Sequence, residues 1–221
     1  MSTGAEDGLD PLAGLSSLDD PVRRRLYGYV ASRDEPAARE DAAAAAGISR
    51  TLAAYHLDRL ADAGILSVSY ALPAGRSGPG AGRPAKRYTR TREELSVSVP
   101  PRNYGLLADL LVAAMASDDA GTVRSAVAAA ARRAGQSSAS DHGVIGALCE
   151  CGYEPALTAD GCIELRNCPF DRLARQHTEL VCELNLQLIQ GMLEAVGESP
   201  QRAQLAPRAG RCCVVVRGPQ R

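Results

Sequence analysis

The sequence predicts an α+β protein in three parts: an N-terminal unit of three helices and a β-hairpin, a helical middle segment, and a small α+β domain at the C-terminus. Three observations predict it. Between residues 20 and 64, Asp20-Pro21, Gly47, Ser49 and Gly64 open or close stretches of helical period. Two short strand-forming runs, residues 65–72 and 85–91, then flank a Pro- and Gly-rich turn at 73–84. Beyond Pro100-Pro101 the pattern changes to helices followed by strand, helix and strand signals.

Each element has a local reason. Residues 1–17, rich in Gly, Ser and acids, read as a disordered arm. Asp20 is an N-cap acid and Pro21 suits the first helical position; Val22, Leu26, Tyr29 and Val30 follow at helical spacing. A second helix covers residues 37–46 and stops at Gly47. Ser49 caps a third, whose stripe is Leu52, His56, Leu57 and Leu60, with Gly64 at its end. His56, beside that stripe, reads as a packed core histidine. The hairpin completes a module bounded at 18–92.

Two helices, 104–116 and 120–134, make a dimerisation segment at 102–135. The second is rich in alanine with few bulky anchors, and a twin subunit packed against it would stabilise it. Residues 135–140 read as a linker. The C-terminal domain, 141–217, takes a short helix at 144–149, strands at 153–157 and 162–166, a long helix at 169–196 and a last strand at 211–216.

The net charge of −1 hides an asymmetry. Residues 1–20 carry five acids and no base, whereas residues 21–92 carry thirteen Arg or Lys against six Asp or Glu. A basic module between acidic segments suits a partner with a phosphate backbone. The acidic start lacks the basic-then-apolar order of a secretory signal, and no apolar run reaches the roughly 20 residues of a membrane span. A cytoplasmic protein is expected. Its seven cysteines are then read as core residues, metal ligands or redox sensors, not as a disulfide framework.

Three helices followed by a basic hairpin is the order of a winged helix-turn-helix. With Leu52, Leu57 and Leu60 turned to the core, the third helix presents Ser49, Arg50, Thr51, Ala54 and Tyr55 on its other side. That face suits the major groove of double-stranded DNA, N-terminal residues first. Arg50 is placed to read guanine and Arg59 to meet phosphate. The hairpin adds Arg76, Arg83, Lys86, Arg87, Arg90 and Arg92 with no acid among them, a strip for phosphates or the minor groove. The segment ISRTLAAYHLDRLADAGIL, with GRPAKRYTRT behind it, resembles the ArsR-like bacterial transcription regulators. The expectation is a homodimer on a palindromic operator.

In the C-terminal domain Asn167-Cys168-Pro169 puts Cys168 at the N-cap of the long helix, where the helix dipole lowers a thiol pKa. At about 100° per residue, Leu173, His177, Val181, Leu184, Leu188 and Met192 form the apolar face and Cys182 lies on its flank. His177 points about 140° from Cys182, so a regular helix cannot bring both to one site. On the last strand Cys212 and Cys213 face opposite sides, so only one joins a shared site. Cys149, Cys151 and Cys162 read as ordinary core or surface residues. The segment GYEPALTADGCIELRNCPFDRLARQHTELVCELNLQLIQGML, followed by RCCVVV, resembles the SufR-type regulators. That resemblance implies a repressor with an iron–sulfur cluster held by Cys168, Cys182 and one of Cys212 or Cys213, with Cys212 taken first. A cubane cluster would then need a fourth ligand from a carboxylate, another residue or a small molecule.

No Gly-x-Ser-x-Gly elbow, P-loop or His-Glu-x-x-His occurs and the three histidines are scattered, so no enzyme is expected. Two other readings stand beside the iron–sulfur repressor. One is a winged-helix regulator answering to a small organic effector or zinc, with structural cysteines. The other is an adaptor that contacts proteins.

Overall fold

The helix punctuation of the N-terminal sequence takes effect residue by residue in the computed structural model, which describes residues 11–71, 84–91, 94–98, 100, 102–138, 142–208 and 210–219. The chain divides into two units, Met1–Arg102 and Asn103–Arg221.

In the first unit, residues 11–17 were expected within the disordered arm and instead form helix α1 (Pro11–Ser17). Two arginines of the next helix satisfy the chain at its C-terminal end: Arg23 Nε donates to Ser17 O, and Arg24 donates to Leu18 O and Asp19 O at 2.8 and 2.7 Å. Helix α2 (Pro21–Ala31) opens on Asp20, whose carboxylate accepts from Val22 N at 2.7 Å and Arg23 N at 3.1 Å. Strand β1 (Ala37–Ala38) precedes α3 (Arg39–Ala46), which ends on Gly47 at φ +67°. Helix α4 (Arg50–Asp62) is capped by Ser49. Strands β2 (Leu66–Ala71) and β3 (Ala85–Arg90) pair antiparallel from Leu66↔Arg90 to Ala71↔Ala85, and β1 joins the far edge of β3.

The core beneath these elements is built from Leu26, Val30, Ala42, Ala53, Leu57, Leu60, Ile65 and Tyr88. Leu52 does not join it. It is 42% exposed, and Ala53 takes the inward position one residue on, in line with Leu57 and Leu60.

The second unit starts with α5 (Tyr104–Ala116) and α6 (Thr122–Ser137). Helix α7 (Gly143–Glu150) and the hairpin of β4 (Pro155–Leu157) and β5 (Ile163–Leu165) follow. The expected long helix is two pieces, α8 (Asp171–Ala174) and α9 (Thr178–Ala195), separated by Arg175–His177. Strand β6 (Ala203–Leu205), absent from the sequence expectation, and β7 (Val214–Val216) complete an antiparallel sheet of order β4-β5-β7-β6. Helices α7 and α9 pack with this sheet around Leu148, Tyr153, Leu165, Ile189, Met192, Leu193 and Val214.

Gly135, expected in a linker, lies inside α6 at a close crossing with α9. A Cβ there would fall inside 3.0 Å of the Leu188 carbonyl, and one on Gly191 would strike the Arg132 carbonyl. The two glycines let the backbones touch, which offsets their cost of about 1 kcal/mol each in a helix interior. Arg132 straps the same crossing, donating to Glu194, Gln187 (3.1 Å) and Gln190 (2.6 Å). The alanine-rich α6 therefore finds its packing partner in its own chain. Among the described residues no helix is long and apolar enough to cross a membrane.

Candidate nucleic-acid interface and sulfur centre

The N-terminal turn of α4 stands free of the core it helps to form. Ala53, His56, Leu57 and Leu60 point inward, and Ser49, Arg50, Thr51, Tyr55 and Arg59 are all exposed on the remaining surface. Ser49 Oγ accepts from Leu52 N at 3.2 Å, so the helix terminus is capped while the hydroxyl hydrogen stays available to a partner. The exposed Leu52 adds an apolar contact to this face. Tyr55 packs edge-on against His56 with ring centroids 5.2 Å apart and leaves its phenol outside. His56 is buried, and its Nδ1 has no hydrogen-bond partner among the described residues.

Two acids that the sequence reading did not single out organise the cations here. Arg50 Nε pairs with Glu40 of α3 at 2.6 Å, both side chains being more than half exposed. Glu40 is held below the usual carboxylate range, first by its own backbone N–H and then, against burial, by the charge and hydrogen bond of Arg50. Asp58 of α4 accepts from Tyr88 Oη at 2.6 Å, Lys86 Nζ at 2.9 Å and Arg39 at 3.1 Å. Burial raises the Asp58 carboxyl, but these hydrogen bonds and charges outweigh it, and its pKa is lowered overall. Burial and the bond to Asp58 push Tyr88 up to about 12. The cluster ties α3, α4 and β3 together. Lys86 is therefore engaged inside the protein, while Arg87, its neighbour on β3, is half-buried and adds its charge near Glu40. Arg76, Arg83 and Arg92 lie outside the described residues.

The cysteines of the second unit meet in pairs. Cys182 of α9 and Cys213 are joined in a disulfide with Cα atoms 6.3 Å apart, against the expectation of reduced thiols throughout. Cys168 packs against the core that holds Cys212, and the two thiols shift each other's pKa in opposite directions. Cys212 also accepts from Asn185 Nδ2 at 3.0 Å, and Asn185, one turn beyond Cys182, accepts from the buried Tyr153 hydroxyl.

This arrangement changes two expectations. Cys168 does not cap the long helix, because α8 starts only at Asp171 behind Phe170; its thiol is pushed up by the hydrogen bond it gives Cys212 and by burial. The lowered thiol is Cys212, brought to about 7 by Cys168 first and then, against burial, by the N–H groups of Val214, Asn185 and Cys213. Nor do Cys212 and Cys213 alternate on a strand, since β7 begins at Val214. The irregular backbone before it lets Cys212 meet Cys168 while Cys213 meets Cys182. Asn185 and Tyr153 carry no sequence signal of their own beyond a polar residue on a buried helix face.

Cys149, Cys151 and Cys162 are free thiols outside these pairs, and His177 sits half-buried at the start of α9. Among the described residues no group of three or more His, Cys, Asp or Glu side chains is set to hold a metal ion.

A family model described as a helix-turn-helix domain matches residues 18–69. No curated protein and no solved structure matches the chain. The match covers α2, β1, α3, α4 and the first four residues of β2, and it supports a DNA-binding transcription regulator.

Proposed function

We propose that the chain is a homodimeric winged-helix repressor whose grip on a palindromic operator is set by an iron–sulfur cluster in the C-terminal unit. The observation that carries the DNA half is the capped, exposed first turn of α4, with Arg50 and Tyr55 on one face and Arg87 on the neighbouring β3. Residues Arg50 and Thr51 would meet base edges, and Ser49, Arg59, Arg87 and Arg83 the backbone, while Lys86 stays on Asp58. The Asp58 cluster would fix the β2–β3 wing against α4, so that helix and wing approach the duplex as one body.

A second copy is supported by α5. Tyr104, Leu106, Leu107, Leu110 and Leu111 are each more than half exposed on a helix that is apolar nearly all round, a composition suited to burial. Two copies would present two recognition helices to two half-sites.

The cluster half rests on donor chemistry. Cys212 accepts from Asn185, which lies one turn beyond Cys182 on α9, Cys168 packs against the core that holds Cys212, and N–H donors hold Cys212 toward the thiolate, as soft metal ligation requires. When bound, a cluster would supply an occupancy that responds to oxygen and iron. Cys168, Cys182 and Cys212 would hold it, Cys213 standing as the alternative to Cys212. Asn185 would orient Cys212, and the core of Leu148, Leu165 and Val214 would exclude water. Iron and acid-labile sulfide in the full chain after anaerobic isolation test this. Both should be present in the wild type and fall by at least tenfold in Cys168→Ala and Cys182→Ala. A colourless wild type without iron, or variants with unchanged iron, would retire the cluster.

A groove of 760 Å³ lined by Val144, Ile145, Leu157, Ile163, Arg202 and Arg217 supports the second reading, a small organic effector.

A further inference from the structure

We infer that Cys182 and Cys213 are a reversible dithiol–disulfide couple that gates the sulfur centre, withholding two sulfurs while joined and releasing them beside Cys168 and Cys212 when reduced. The inference builds on the sulfur-centre reading above and adds its redox control. Four observations carry it.

First, the bond joins two elements far apart in sequence. Cys182 is in α9 and Cys213 is 31 residues later, just ahead of β7; their Cα atoms, 6.3 Å apart, lie within the span a disulfide bridges. Second, two consecutive residues turn different ways: Cys212 goes into the core that Cys168 packs against, where Asn185 donates to it, and Cys213 goes to Cys182, so one short segment serves both places. Third, α9 supplies both Cys182 and Asn185 one turn apart, so the helix that donates to Cys212 also holds one end of the disulfide. Fourth, Cys182 is buried but Cys213 is partly exposed, which gives a reductant one reachable sulfur. Cys149, Cys151 and Cys162 have no place in either pair.

The step balances with a dithiol as reductant. One of its thiolates attacks Cys213 Sγ, the Cys182–Cys213 bond breaks, and Cys182 leaves as a thiolate that takes up a proton. The second thiol of the reductant then attacks the mixed disulfide, releasing Cys213 and closing its own disulfide. Two electrons and two protons pass to the protein. A sulfur committed to a disulfide is not a thiolate ligand, so the joined form offers only Cys168 and Cys212. The reduced form offers four cysteine sulfurs, and Cys213 is then the fourth ligand that a three-cysteine site lacks.

The test uses the full chain. Air-oxidised protein, denatured and alkylated, should show five reactive cysteines and a cross-linked peptide joining Cys182 to Cys213; after a dithiol it should show all seven. Incubated anaerobically with ferrous iron and sulfide, the oxidised chain should take up less than a tenth of the iron that the reduced chain takes. Cys213→Ser, which cannot form the bond, should bind iron to the same extent with or without prior reduction. Seven reactive cysteines in the oxidised chain, or a cross-link between other partners, would overturn the couple. Equal iron uptake by oxidised and reduced wild type would overturn the gate even if the cross-link forms. A Cys182–Cys213 cross-link that opens and closes with no iron uptake in either state would retire the cluster reading and leave the couple standing.

Discussion

The two units keep their chemistry in opposite surroundings. Around α4 the working groups are charged and exposed; Arg50 and Glu40 meet at 2.6 Å with 70% and 56% of their side chains open to water. Around Cys212 the working groups are soft and enclosed, with Asn185 at 1% exposure beside the thiols. Exposed ion pairs are worth little and exchange readily for a better anion, which suits a surface where Arg50 can leave Glu40 for phosphate or a base edge. Enclosed thiols exchange with nothing unless a bond is broken or the core opens, which suits a centre that holds a state. On the proposed reading, salt would tune the grip, and redox state and packing the C-terminal centre.

Four perturbations sharpen this contrast, ordered by size. Cys213→Ser under oxidising conditions should cost the C-terminal unit about 4 kcal/mol, the chain-entropy value for a loop of this length. The penalty should vanish in a dithiol. Urea unfolding with and without reductant reads it, and an equal penalty in both would place the effect in packing instead. Gly191→Ala should cost about 3 kcal/mol in either redox state, because the added methyl meets the Arg132 carbonyl rather than a side chain that can move. A thermal shift under 1 °C would mean that α6 and α9 slide apart cheaply.

On the other unit, Arg50→Ala should weaken specific duplex binding by about 2 kcal/mol and leave stability unchanged, as for the loss of one base-reading arginine. Equal loss on random and operator DNA would move Arg50 to the phosphate class. The smallest effect is that of Asp58→Asn, about 1 kcal/mol of folding stability at neutral pH after allowance for its partial exposure. The folded carboxyl sits below its ordinary value of 3.8, so its contribution is complete above that value and is lost as pH falls through the folded pKa. The gap between wild type and variant should close as the pH falls through the lowered range of the folded carboxyl. A gap independent of pH would remove the Asp58 charge from the account.

How much of this was legible depended on how local each cause was. The caps at Asp20 and Ser49 and the stops at Gly47 and Gly64 act within three or four residues, so the sequence displays them directly. Leu52 misled because an apolar residue in a first helical turn reads as core until the helix phase is fixed, and Ala53 fixed it. In the second unit the causes are distant. Gly135 looks like a linker residue until Leu188 of another helix lies against it. Cys168 looks like a helix cap until α8 starts three residues later, and Asn185 acquires a role only because Cys212 arrives from 27 residues away. The acids Glu40 and Asp58 were visible as charges but not as partners, since pairing depends on which faces of α3, α4 and β3 meet.

The most direct test of the central claim, that the exposed face of α4 and the basic β3 strand grip duplex DNA, is the affinity of the full chain for double-stranded DNA as a function of salt. The account predicts that log K falls linearly with log salt, and that Arg87→Ala lowers the slope by about one. A flat response, unchanged in that variant, would contradict it.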